Sequence, residues 1–471
     1  MRTHSNSSSL SDPRVAIARV PSPSYPPADA TSNFVLDAVR RLCGLMGWNT
    51  AAKGAFGALI SRGSRVVVKP NWVLHQNQGP WGVEALVTHG SLVRAVVEET
   101  LGADPAFVTL GDAPMQGCDF ERLLAASGIP GWAESLALRD GRFAGVRDFR
   151  RTTTQSVGLG ARVTRRTDDD LQNFVLFDLG SESLLEPITD NRGSFRVTMY
   201  PPAMMRQTHA PRRHQYLIAR EIIEADVVIN LPKLKTHKKA GITCALKNLI
   251  GINGNKEFLP HHRVGGSEAG GDCYPGRSVV KRSLEATLDV QNSTENVLAQ
   301  RTLSAATRVL NRLAVAGGDS LGVEGSWSGN DTIWRTCLDL NRILLYGRID
   351  GTLADEAQRE VISIVDAVIA GQGDGPLAPQ PHPLGLLIAG ASSPAVDWVG
   401  AHLLGYDPQR IPIAREAFGA FRYPLTTFGW QDISTVGDLG HGGADALAGS
   451  IVPPAEYPQG WRDAVAQTSA L

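Results

Sequence analysis

The segment ADVVINLPKLKTHKKAGITCALKNLIG, residues 225–251, decides how the chain is read. It opens on an aliphatic, β-branched run, Ala225 to Leu231, with the length and composition of a buried strand. Pro232 has no N–H to give a central ladder, so the chain is expected to leave the sheet there. Lys233, Lys235, Lys238 and Lys239 then crowd around His237. Gly241 to Ile250 reads as a helix, with Gly251 in the stop position. A strand, a cationic loop and a helix in that order are the grammar of an α/β domain.

Upstream segments repeat the grammar. RVAIARV (14–20), SRVVVKP (64–70) and AFVTLGDAP (106–114) read as strands, whereas NFVLDAVRRLCGLMG (33–47) and SLVRAVVEETLG (91–102) carry helical spacing. The expected fold class is therefore α/β: two-lobed, with a mostly parallel sheet flanked by helices and a helical hairpin insertion over 278–316, broken at QNST (291–294). The expected division is a disordered leader (1–13), an α/β lobe (14–250), a second lobe (251–450) and a loose tail (451–471). Sheets of this kind place ligands beyond the carboxyl ends of their strands. That rule directs attention to Lys69 and Asn71, to Asp112, and to the segment quoted above.

Composition bounds the function. The 471 residues carry 46 Lys+Arg against 47 Asp+Glu, a net charge of -1, which argues against nucleic acid as a partner. No apolar run approaches the roughly 18–20 residues of a membrane-spanning helix. Five scattered cysteines form neither a disulfide framework nor an iron–sulfur motif, and point to the reducing cytoplasm. GQGDGP (371–376) is not a phosphate-binding Walker loop.

The cationic segment marks an anion site. Lys235, Lys239, Thr243 and the expected helix start at Gly241 would hold a carboxylate, a phosphate or a phosphorylated cofactor. Thr243 and Lys247, four apart, would share a helix face. A half-buried Lys247 would be a base, a Schiff-base former or a covalent tether, or else an ordinary last-turn lysine. His261, His262 and Asp272 offer ligands for a divalent transition metal, although adjacent histidines on a strand point to opposite faces. Asp112 and Asp374 sit in glycine-bounded loops; Asp331 reads either as a site carboxylate or as a helix cap.

The strings VVVKPNWV, ADVVINLPKLKTHKKAGITCALKNLIG, GNDTIWRTCLDLNRILLYG, DAVIAGQGDGP and SPAVDWVGAHLLGYDP resemble the bacterial and archaeal family known as domain of unknown function 362, from about residue 14 to 420. More distantly, the layout is similar to that of the nickel-pincer lactate racemases. There a histidine and a lysine stand ten residues apart, as His237 and Lys247 do. The resemblance implies an acid–base role for His237 and a cofactor-tethering role for Lys247. It also implies metal ligation by His261 or His262, fourteen and fifteen residues after Lys247. His75 and His89 are the positional candidates for that family's second catalytic histidine. Cys244-Ala-Leu246 replaces its glycine-rich tripeptide.

The expected function is a metal- or cofactor-dependent enzyme acting on a small anionic molecule, isomerase- or racemase-like, with His237, Lys247, Asp112 and Asp331 as catalytic candidates. The alternative is a non-catalytic protein that binds an anion or metallocofactor on behalf of a redox or glycan-assembly partner.

Overall fold

The structure is a computed structural model. It describes residues 7–30, 32–156, 158, 162–166, 171–316, 321–447 and 453–462. Eleven strands form the central sheet. In chain order they are β1 (Arg14–Arg19), β2 (Arg65–Pro70), β3 (Phe107–Asp112), β4 (Phe143–Asp148), β5 (Val227–Leu231), β6 (Lys233–His237), β7 (Gly241–Thr243), β8 (Glu360–Gln372), β9 (Gln380–Gly390), β10 (Ser434–Gly437) and β11 (Gly442–Gly443). Across the sheet they run β11-β10-β1-β9-β8-β5-β2-β3-β4, with β6 also paired to β8 and β7 to β6.

From β8 to β4 the pairing is parallel, and β9 is antiparallel to both of its neighbours. The parallel strands are Val/Ile-rich and buried on both faces, as a sheet covered on each side requires. The flanking helices include α1 (Phe34–Met46), α2 (Gly90–Gly102), the single turn α3 (Ala245–Asn248), α4 (Val279–Ser293), α5 (Val297–Ala316), α6 (Ile333–Tyr346) and α7 (Ser393–Leu403). Helices α4 and α5 are the expected hairpin, and they pack mainly on each other.

Four expectations change. The division at residue 250 does not divide the sheet, because β8, β9 and β10 from the second half lie between or beside β1 and β5. The leader is ordered where described: Ser9 Oγ donates to the Val361 carbonyl at 2.9 Å. The described part of the tail is packed, since Trp461 is buried and its indole N–H donates to the Lys238 carbonyl at 2.8 Å.

The fourth change is the one that builds the site. The chain does not leave the sheet at Pro232. Proline has no N–H, but its carbonyl accepts from the Asp366 N–H at 2.8 Å, so the chain stays against β8 with a shifted register. The cationic segment is therefore a strand, β6, and not a loop. Gly241 does not start a helix either. It sits at φ +82° where β6 turns back into β7, a conformation that glycine alone adopts at no steric cost.

Candidate functional site

Strand β6 alternates Lys233, Lys235 and His237 on one face with Leu234 and Thr236 on the other, all five buried. Leu234 anchors in the core. Lys233 stays within the sheet, 2.8 Å from Asp366, and both side chains are 0% exposed. One strand step further, Lys235 and His237 reach a cavity of about 200 Å³ beyond the carboxyl ends of β2, β3 and β8. Asn71, Asp112, Thr243, Lys247, Lys256, His261 and Glu324 are among its other polar lining residues, as are Lys238 and Lys239, and Trp72, Val197 and Tyr200 are among its apolar walls.

The approach of β2, β3 and the segment after α3 is close. A Cβ on Gly251 would meet Asp112 Oδ1 at 1.9 Å and Lys69 Nζ at 2.7 Å, so only glycine fits there. Lys69 and Asp112 form a buried ion pair at 2.8 Å. Burial works against both charges, lowering the proton affinity of Lys69 and raising that of Asp112. The pair itself opposes this, as do the Trp72 and Ala113 N–H groups, which donate to the Asp112 carboxylate at 2.7 and 2.9 Å. Asp112 thus serves as the anchor of Lys69 and of two backbone turns, while one edge of it faces the cavity.

Most of the cavity lysines are engaged. Lys235 donates to the Leu86 carbonyl. Lys256 donates to the carbonyls of Ala113 and Ile250 at 2.9 and 3.3 Å. Lys238 pairs with Glu324, and Lys239 donates to Thr198 Oγ1 at 3.0 Å while lying 3.5 Å from the same glutamate. Burial pushes Glu324 up, but Lys239 and Lys238 outweigh it and hold the carboxyl well below the usual range. Lys247 differs: among the described residues it has neither a hydrogen-bond nor an ion-pair partner, at 9% exposure. Thr243 Oγ1 and Asn71 Oδ1 are likewise buried without partners. The cavity thus carries five lysines against two carboxylates, and besides Lys247 four buried groups on its lining, Asn71 Oδ1, Trp72 Nε1, Gln116 Nε2 and Thr243 Oγ1, have no partner among the described residues.

The two histidines hold opposite tautomers. His237 Nδ1 accepts from the Lys239 and Ala240 N–H groups at 3.0 and 3.2 Å, so in the neutral ring Nε2 carries the proton. His261 Nδ1 lies 2.7 Å from the Leu259 carbonyl and must donate to it, so its Nε2 is a free lone pair. Burial, followed by the charges of Lys247, Lys239 and Lys235, holds His237 well below its ordinary 6.5. Burial, followed by Lys239 and Lys247, does the same to His261. Burial also pulls Lys256 down to about 7.

Other expected residues fall elsewhere. His262 lines a neighbouring concavity with Arg196 and Glu285 and not the one that His261 lines. Asp272 is a buried structural carboxylate that accepts from Thr332 Oγ1 at 2.6 Å and from the Asp331 N–H at 3.1 Å. The expected metal set of His261, His262 and Asp272 is therefore not assembled. Among the described residues no cluster of three or more His, Cys, Asp or Glu is placed to hold a metal ion. Asp331 pairs with Arg335 at 3.1 Å outside the cavity, and the α6 cap is Asn330, whose Oδ1 accepts from Thr332 and Ile333. Asp374 is exposed beyond the rim. His75 accepts from the Asp119 N–H, and His89 stacks on Tyr25 with ring centroids 4.0 Å apart; neither lines the cavity.

Lys256, Asn248 and Glu324 are cavity residues that the sequence reading left out of the site. A period-two reading of KLKTH finds the strand, but no local pattern announces Glu324, which comes from far along the chain to pair with Lys238 in the turn after β6.

Residues 193–402 match the family described as Domain of unknown function (DUF362). That segment supplies β6, β7, α3, His261 and Glu324, while Asn71 and Asp112 come from outside it. The thylakoid-associated protein sll1697 of Synechocystis sp. is 25% identical over 204 residues, 43% of this chain and 40% of that protein, so the chain spans about two fifths of the relative's length. A crystal structure of a Thermotoga maritima protein aligns at a TM-score of 0.31 with 10% identity, covering 77% of this chain and 57% of that one. Among the described residues no helix is long and apolar enough to cross a membrane.

Proposed function

We propose, taking as premise that residues 193–402 belong to the DUF362 family, that the protein is an enzyme that binds a small anionic molecule and moves a proton at a carbon next to its carboxylate or carbinol group. The observation that carries this reading is the complementary histidine pair in one lysine-lined cavity. His261 Nε2, a lone pair, takes the proton from carbon. His237 Nε2–H, kept neutral by burial and then by the surrounding cations, donates a hydrogen bond to the substrate oxygen that gains charge. The lysines hold the anion, whose charge offsets their field and restores base strength to His261. Protonation of that carbon on its opposite face, by a donor other than His261 such as water, gives racemisation, and protonation of a neighbouring carbon gives isomerisation. A cytoplasmic location, consistent with five free cysteines, belongs to this proposal.

The test has two parts. Calorimetric titration with oxalate and inorganic phosphate should show one site per chain. A panel of 2-hydroxy and 2-oxo acids in D2O should then yield a member that gains deuterium on carbon, and His261→Gln should abolish the gain. Anion binding with no exchange across the panel would favour the accessory role; no anion binding at all would remove both readings.

A further inference from the structure

Lys247 stands apart from every other lysine around this cavity. Lys69, Lys235, Lys238, Lys239 and Lys256 each spend their ammonium on a carboxylate, a hydroxyl or a carbonyl of the protein. Lys247 spends its own on nothing among the described residues, although its side chain is nine-tenths buried. It is also central. After the dominant effect of burial, the charge of Lys247 bears on Lys69, Lys235, Lys256, His237 and His261 alike. Burial lowers its own proton affinity, and the group beside it is the Cys337 thiol, itself pushed up to about 12 and therefore uncharged. The partnerless Thr243 hydroxyl lines the same cavity.

We infer that Lys247 is a nucleophile that forms a Schiff base with a small 2-oxo acid. A buried amine amid cations, without a counter-ion, gives up its proton more readily than a solvated lysine and so presents its lone pair more often. The inference rests on the proposed anion site, because the substrate's carboxylate would be held by the neighbouring lysines while its carbonyl carbon meets Lys247 Nζ. The nitrogen lone pair attacks that carbon, and the carbonyl π electrons pass to oxygen. His261 Nε2 takes a proton from the amine and returns it to the hydroxyl as that group leaves as water; the second amine proton supplies the other hydrogen of that water. The C=N bond forms with no net change in oxidation state. His237 Nε2–H and the Thr243 hydroxyl are placed to hydrogen-bond the oxygen during addition. The imine, once protonated, draws electrons from the adjacent carbon and makes its proton easier for His261 to remove.

The experiment treats the full chain with pyruvate and sodium borohydride at pH 7.5, followed by intact-mass measurement and peptide mapping. One reduced adduct per chain on the peptide carrying Lys247, competed by oxalate, is the expected result, with Lys247→Met losing it. The wild-type peptide map locates the adduct even if that variant fails to fold. A protein that binds oxalate but gives no adduct would overturn the imine and leave the anion site standing. Adducts on Lys53 as readily as on Lys247 would also overturn it. A protein that binds neither oxalate nor pyruvate would overturn the inference together with the proposed function.

Discussion

Lys233 and Lys247 lie fourteen positions apart, both deeply buried, and they illustrate two uses of a buried lysine. Lys233 sits in the sheet with Asp366 at 2.8 Å, and the same carboxylate also accepts from Tyr25 Oη and the His89 N–H. Every charge there has a fixed answer within the protein, so the region is scaffold. Around Lys247 the opposite holds: the amine, the Thr243 hydroxyl and Asn71 Oδ1 are buried and unanswered. Leaving such groups unpaired costs about 1–3 kcal/mol each, a cost that a bound ligand recovers. The difference teaches that burial does not mark a functional lysine; burial without a partner does.

The largest effect should come from breaking the scaffold side. Lys233→Met leaves the Asp366 carboxylate buried without its cation, and should cost about 3–5 kcal/mol by chemical denaturation. A loss under 1 kcal/mol would erase the distinction between the two regions. His237→Gln and His261→Gln should each lower turnover about 10²–10⁴-fold, with anion affinity changed far less. Lys247→Met should shift stability by less than about 1 kcal/mol while weakening oxalate binding about tenfold or more, the inverse of the Lys233 result.

A pH series sharpens the contrast further. Lys256 is protonated below about 7 and neutral above it. Anion affinity should therefore fall as pH rises through 7, and Lys256→Met should flatten that slope. In stability the sign reverses: the unfolded chain keeps that proton up to the ordinary 10.5, so the folded state binds fewer protons between the two values and gains stability as pH rises across the interval. Asp374→Ala, at an exposed position beyond the rim, should leave affinity within about twofold and stability within about 0.5 kcal/mol.

Much of this was legible before any coordinates. The parallel sheet follows from strands such as RVVVKP alternating with amphipathic helices, and the α4–α5 hairpin from its helical spacing. His237 and Lys247 meet at one cavity beyond the strand ends, and His261 lines it too, but without the His262 and Asp272 expected beside it. The error at Pro232 was one of competing rules. A missing N–H argues for a strand end, but the carbonyl side of the residue remains usable, and β8 uses it. Taking four lysines for a loop then hid the period-two face of KLKTH. Adjacent His261 and His262 line two different cavities, and the partners that neutralise Lys238 and Lys233, Glu324 and Asp366, depend on tertiary contacts that no local window contains.

The most direct test follows the lysines themselves. With nine in the chain, [13Cε]-lysine labelling resolves them singly by NMR. Oxalate added at pH 7.5 should move the Lys247 resonance most and leave that of Lys233 in place, and in the free protein Lys247 should titrate below 10.5. A Lys247 signal indifferent to oxalate, or one that moves no more than that of Lys233, would contradict the account.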